Sequence, residues 1–345
     1  MTNKRELSIE WFALLTAICW GAGSFFGKRA MKIGHLTPLV GIVLRTFIAL
    51  LLFLIFLSIF GRKINSPLIK ELKNAWKTSK AGLFQIIIFE GVLAGGVGMF
   101  LYYYAISNGD LSLVIPLAFL SPFWGTLLAL IFKNEKITFQ RTAGLLITLT
   151  GVAFISSRMF TLSELLQFRV EYFAILTGLC WGIGSYFGKK GMKKADISPF
   201  VGITIRTFTS LIILVIAVFS LGPTLLDSYF FAELGWILRN EWVQFIQILL
   251  FEGIIAGFLG MLLYYFALRK GDITLVMPLA FTSPFWGTIL ALIWRTEMLT
   301  NERLMGLLLI IYGIAFTTSV NLRKPVTQKL LKENFYENEK EIVNN

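Results

Sequence analysis

An all-α polytopic membrane protein, with about ten transmembrane helices in two inverted five-helix repeats, is the fold class that this sequence predicts. Three observations lead there. The chain of 345 residues is 56% hydrophobic and only 15% charged, against roughly 25% charged in an ordinary soluble domain. Apolar runs of about twenty residues, the length that crosses a bilayer as a helix, recur along it. The chain also repeats itself: "FEGVLAGGVGMFLYYYA" from Phe89 returns as "FEGIIAGFLGMLLYYFA" from Phe251.

The apolar runs place the first five spans near Trp11–Ala30, Leu39–Phe60, Leu83–Ala105, Leu113–Phe132 and Thr142–Ser157. A second series lies near Tyr172–Gly191, Phe200–Ser220, Val243–Leu268, Thr274–Trp294 and Leu304–Val320. Three further stretches match across the series. "CWGAGSFFGKRAMK" from Cys19 answers "CWGIGSYFGKKGMK" from Cys180, and "PLVGIVLRTF" from Pro38 answers "PFVGITIRTF" from Pro199. "NGDLSLVIPLAFLSPFWGTLLALIFKNE" from Asn108 answers "KGDITLVMPLAFTSPFWGTILALIWRTE" from Lys270. Repeat 1 is therefore expected over 11–158 and repeat 2 over 171–320. Because five is odd, the second copy enters the membrane from the opposite side. Inverted repeats of this kind mark secondary transporters, since exchanging the conformations of the two halves converts one access state into the other.

Charge supports the inversion. With a cytoplasmic N-terminus, inside segments hold 22 basic residues and outside segments 8, with Arg45 and Arg206 inside spans. That asymmetry is the positive-inside rule, so the formal charge of +12 reads as topology and gives no call for nucleic acid. Residues 1–10 and the polar tail 321–345 are expected in the cytoplasm of a bacterial-type plasma membrane. The first span has a partner in the second half and no small-residue cleavage site after it, so it reads as part of the fold and not as a signal peptide. Cys19 and Cys180 read as small apolar packing residues.

Two tandem five-helix units carrying "YYYAISNGDLSLVIPLAFLSPFWGTLLALIFKNEKIT" resemble the drug/metabolite transporter superfamily, in particular its ten-helix EamA-type members. The most specific part is the fourth span entering a short loop with Glu135 or Glu297, then a fifth span with Gly144 and Gly151, or Gly306 and Gly313. Where the family usually shows "GE" in that loop, this chain has "NE" and "TE". The resemblance implies movement of a small organic solute across a membrane and names no solute.

Candidate site residues come from the repeated segments. Pro116 and Pro122, with Pro278 and Pro284, interrupt the fourth and ninth spans. Proline removes a backbone donor and displaces the carbonyl four residues earlier, which frees Ala118 and Ala280 near mid-span. Interrupted spans at matching places point to a binding site, and Ser121, Trp124, Ser283 and Trp286 are expected to face it. Trp20, Ser24 and Lys28 share one helix face, repeated by Trp181, Ser185 and Lys189. Both tryptophans sit mid-span, away from the interfacial belts, so Trp20, Ser24, Trp181 and Ser185 join the candidates. Tyr102, Tyr103, Tyr264 and Tyr265 lie nearer the belts and read first as anchors. Gly23, Gly27, Gly184 and Gly188, with Gly91, Gly95, Gly253 and Gly257, let helices approach closely.

Arg45, Glu90, Arg206 and Glu252 are the charges set deepest in spans, where an unpaired charge costs a few kcal/mol. Helix directions place Arg45 at the depth of Glu252 in the outer half, and Glu90 at the depth of Arg206 in the inner half. The glutamates are expected to neutralise arginines of the other repeat or to carry protons, as gates of which one is closed while the other is parted. Covalent chemistry has little footing. His35 is the sole histidine, and nothing shows metal-ligand spacing, so no cofactor, metal or enzymatic role is expected. A small-molecule substrate, amino acids among the candidates, and the lipid bilayer are the expected partners, with a coupling proton as a further one. A channel or lipid scramblase on the same bundle is the alternative function.

Overall fold

The computed structural model describes residues 9–63, 66–108, 117–132, 138–155, 170–225, 227–294 and 301–318. Among them the chain is helical, with no strand. Repeat 1 comprises α1 (Ile9–Ile33), α2 (Pro38–Phe60), α3 (Leu68–Thr78) and a third span. That span is built from α4 (Lys80–Gln85), a π-helix π1 (Ile86–Gly98) and α5 (Met99–Asn108), and α6 (Ser121–Ile131) and α7 (Phe139–Ile155) follow. Repeat 2 runs through α8 (Val170–Ala195), α9 (Pro199–Ser220), α10 (Phe230–Asn240), α11 (Trp242–Gln247), π2 (Ile248–Gly260) and α12 (Met261–Lys270). It ends with α13 (Ile273–Ala280), α14 (Ser283–Ile293) and α15 (Asn301–Thr318).

Six helical stretches are long and apolar enough to cross a membrane. α8 is longer than most of them, at 26 residues, but carries four lysines near its end. The first part of the fourth span, with Pro116, and the loops holding Glu135 and Glu297 lie outside the described residues.

Two features go beyond the sequence reading. The segments joining the second and third spans of each repeat hold short amphipathic helices, α3 and α10, to which the sequence reading assigned no element. Each carries a glutamate that caps the second span of the other repeat. Glu71 accepts from the Ser198 N–H at the start of α9 (2.9 Å) and Glu233 from the Thr37 N–H at the start of α2 (2.7 Å). A carboxylate there satisfies an orphan donor and complements the helix dipole.

The second feature is how the repeats share space. α1 packs on π2, α12 and α14, while α8 packs on π1, α5 and α6; α1 barely touches α2, nor α8 α9. Each half of the molecule is thus a composite of both repeats. Small residues make this possible: a methyl on Gly182 of α8 would lie 2.6 Å from the Trp124 Cβ. α7 and α15 form a separate pair in which Gly151 faces the Gly306 carbonyl and Gly313 the Gly144 carbonyl.

Candidate functional site

The π-helical middles of the third and eighth spans set the site. Both are 13 residues long and both contain the conserved-in-repeat sequence Phe-Glu-Gly, with Glu90 and Glu252 buried. π-helices longer than a turn are rare and cluster at functional sites. Hydroxyls from the opposite repeat hold their carbonyls. Ser210 donates to Gly91 (3.1 Å), Thr177 to Gly98 (3.3 Å) and Thr16 to Gly260 (3.4 Å).

The glutamates pair across the repeats. Arg45 Nε lies 3.3 Å from Glu252 Oε2, and Arg206 Nε lies 3.4 Å from Glu90 Oε2. All four side chains are at most 14% exposed. Both pairs are closed at once, so the expectation that one is parted whenever the other is closed does not hold in this conformation. Glycine makes room for them: a Cβ on Gly27 would collide with the Glu252 side chain, and one on Gly188 with that of Glu90.

Between the two pairs lies a cavity of about 90 Å³. A single water needs roughly 10–15 Å³ on this measure, so the space suits several waters or one small solute. Its walls obey the repeat: Trp20 and Trp181, Ser24 and Ser185, Arg45 and Arg206, Glu90 and Glu252, Tyr102 and Tyr264, Phe119 and Phe281 all border it. The Phe119 and Phe281 rings meet at 5.4 Å. Trp20 contacts Tyr264, and Trp181 contacts Tyr102, each at 5.2 Å. The indole N–H groups of Trp20 and Trp181 are buried without a hydrogen-bond partner. A buried donor left unmade costs about 1–3 kcal/mol; these two nitrogens lie beside π-helix glycines, Trp181 Nε1 by Gly98 and Trp20 Nε1 by Gly260.

Several expectations need correction. Ser121, Trp124, Ser283 and Trp286 do not line this cavity. The chain turns at Phe119–Leu120 and at Phe281–Thr282, just before Pro122 and Pro284. The turn aims the phenylalanines inward and rotates the following serines and tryptophans into the α6–α8 and α14–α1 contacts. There the Ser121 and Ser283 hydroxyls are buried and unpartnered. The freed Ala118 carbonyl faces Gly178 of α8 and not the void, while Pro278 sits inside α13. The tyrosines read as interfacial anchors are core residues: Tyr103, Tyr264 and Tyr265 are 4%, 3% and 0% exposed. Tyr264 donates to Ser185 at 2.7 Å. Phe119 and Phe281 escaped the sequence reading; the literal repeat "LAF" before "SPFW" was the available signal.

The two ends of the cavity differ. Ser24 and Lys28 are exposed, whereas their partners Ser185 and Lys189 are 5% and 7% exposed. Gly125 of α6 is closed against Met277 and Ile273 of α13 at the Lys189 end. Tyr186 there is 3% exposed and stacks on Phe132 (5.4 Å), which also receives Lys190 over its face. That ring closure has its image at the Lys28 end, where Trp294 meets Phe25 (5.9 Å) and Phe26 (5.1 Å), so among the described residues the ends differ in that Ser185 and Lys189 are buried and Ser24 and Lys28 are not.

Comparison with known proteins adds three findings. The model of the EamA-like transporter family matches residues 7–157 and again 169–319. An uncharacterized transporter of Archaeoglobus fulgidus is 27% identical over 306 residues, covering 88% of this chain and 97% of that protein. An uncharacterized protein of Methanocaldococcus jannaschii is 27% identical over 143 residues, 41% of this chain but 92% of its own length, so it is about one repeat long. Among solved structures, one crystal structure of a protein superposes with a TM-score of 0.68 over 92% of this chain and 98% of that one. At 14% identity this is a likeness of fold alone.

Proposed function

Because the chain belongs to the EamA-like transporter family, and so is an integral membrane transporter, we propose that it is a secondary carrier of a small organic solute working by alternating access. The single observation that carries this reading is the cavity bounded at both ends by inversion-related residues, more deeply buried at one end than at the other. Cross-repeat packing suggests which bodies move: α1, π2 and α14 as one, α8, π1 and α6 as the other. Rocking one against the other would exchange the environments of Ser24 and Ser185.

The lining suggests the solute. Aromatic rings offer an apolar face, two indole N–H groups stand without a partner in the protein, and two guanidinium groups suit a carboxylate. Small carboxylate-bearing metabolites, amino acids among them, are the class we propose. Glu90 and Glu252 are the acids placed to take a coupling proton, since each can exchange its arginine for a proton as the pair parts. With both termini in the cytoplasm of a plasma membrane, the Lys28 end, the more exposed of the two, faces outward.

A stability screen of the purified protein against small solutes finds the ligand, because binding to the native state raises apparent stability. Proteoliposomes loaded with that solute should then show saturation and counterflow. Unsaturable flux without counterflow would overturn the carrier reading in favour of a channel, and lipid exchange between leaflets would favour a scramblase.

A further inference from the structure

The two interfacial helices α3 and α10 are inversion partners with opposite electrostatics. The segment 61–80 around α3 holds six basic residues and one acidic residue; its counterpart 221–241 around α10 holds one basic and three acidic. Both helices expose bulky apolar side chains, Ile69 (69%) and Trp76 on α3, Phe231 (74%) and Leu238 on α10. Both therefore lie where a bilayer interface would cover them, but only one is cationic.

The cations of α3 are not scattered. Lys70, Lys73 and Lys77 follow at steps of three and four, so they share a face. With Arg62 at the end of α2 they line a groove of about 800 Å³ whose other wall is Leu54 and Ile69, both exposed. Among the described residues, no aspartate or glutamate borders the groove. The one carboxylate of α3, Glu71, is turned away and engaged by the α9 N-terminus. Lys80 is also elsewhere, over the Trp76 ring. A pocket with one cationic rim and one apolar wall, at the depth where a span ends, matches one ligand chemistry: a phosphate-bearing headgroup with acyl chains attached.

We propose that the groove between the end of α2 and α3 binds an anionic phospholipid of the facing leaflet, the phosphate on Lys70, Lys73, Lys77 and Arg62 and an acyl chain along Leu54 and Ile69. Occupancy clamps α3, and through Glu71 it braces the start of α9, the helix that carries Arg206. The site depends only on the membrane location of the chain, not on the solute or the transport cycle.

The test is native mass spectrometry of the full-length protein in detergent, titrated with short-chain phosphatidylglycerol or phosphatidylcholine. Phosphatidylglycerol should bind at least tenfold more tightly, with a preference that 0.5 M salt erases. About 1 kcal/mol per interfacial cation corresponds to roughly fivefold in affinity. The K70Q/K73Q variant should therefore lose about thirtyfold, while the isocharge control K63Q/K80Q, outside the groove, loses less than threefold. Equal losses in the two variants would make the attraction diffuse and sink the site. So would equal binding of the two lipids by the parent protein, a preference that survives high salt, or competition by soluble glycerol phosphate as effective as by the lipid.

Discussion

Consider removing one member of the inner-cavity ion pair, Glu90→Gln. At 3.4 Å two unit charges attract by about 5 kcal/mol if the effective dielectric is about 20. Desolvation offsets part of this, so the pair itself contributes little net stability. Removing one partner is different, because Arg206 then keeps its desolvation cost with no carboxylate beside it. Losses of about 3–5 kcal/mol are usual for such a truncation. We expect Glu90→Gln and Arg206→Gln each to cost about that, and the double variant to cost far less than their sum. Exchanging the charges, E90R with R206E, should recover part of the loss. The assay is a double-mutant cycle by reversible denaturant unfolding of the purified protein. Strict additivity of the two single losses would mean that the charges do not interact, and the cross-repeat pairing would lose its energetic meaning.

Four further outcomes follow from the same geometry. Gly188→Ala and Gly27→Ala drive a methyl into the side chains of Glu90 and Glu252. Each should cost about 1–3 kcal/mol, measured as lost thermal stability, while Gly235→Ala, which meets only the flexible end of Arg239, should be neutral or stabilising. Ser24→Cys should react with a polar thiol reagent much faster than Ser185→Cys, in a background lacking Cys19 and Cys180; equal rates would refute the asymmetry of the ends. Trp181→Phe deletes a buried N–H that has no partner in the protein and trims a ring packed on Tyr102, Phe119 and Phe281, so it should cost about 1–3 kcal/mol of unfolding stability while the half-saturating solute concentration rises. Glu71→Gln weakens a charge-assisted bond to the α9 N-terminus and should cost about 1–2 kcal/mol, read from the unfolding midpoint.

Much of this architecture is legible because the chain spells it twice. "PLAFLSPFW" and "PLAFTSPFW" tie the fourth span to the ninth without any structural knowledge, and an odd number of spans per copy forces inversion. The depth of Arg45 and Glu252 follows from counting residues along oppositely directed helices, and the 3.3 Å pair agrees with that count. What counting along a span cannot supply is which way a side chain points once the helix is irregular. Ser121 and Phe119 are two residues apart, and a non-helical turn between them decides that the phenylalanine meets the cavity and the serine meets α8. Tyr264 lies toward the end of its span, yet its ring is buried because α8 and α1 of different repeats close over it. π1 and π2 have no local signature either, since an i→i+5 coil is stabilised by the packing and by borrowed hydroxyls, Ser210 and Thr177 for π1 and Thr16 for π2. α3 was within reach: "LIKELKNAWKT" has lysines on one face and apolar residues on another, hidden only because its charges count toward topology.

The most direct test of alternation uses two label pairs that are images of each other under the repeat. Arg29 and Tyr172 report on the Lys28 end, and Lys190 and Trp11 on the Lys189 end, with the members of each pair on the two bodies proposed to rock. All four sites are exposed. Distances between spin labels, measured for both pairs in lipid nanodiscs across a titration of solute and pH, should shift in opposite senses. The fraction of molecules long at one end should match the fraction short at the other. Distances that lengthen together at both ends, or that stay fixed while the solute is transported, would contradict alternating access.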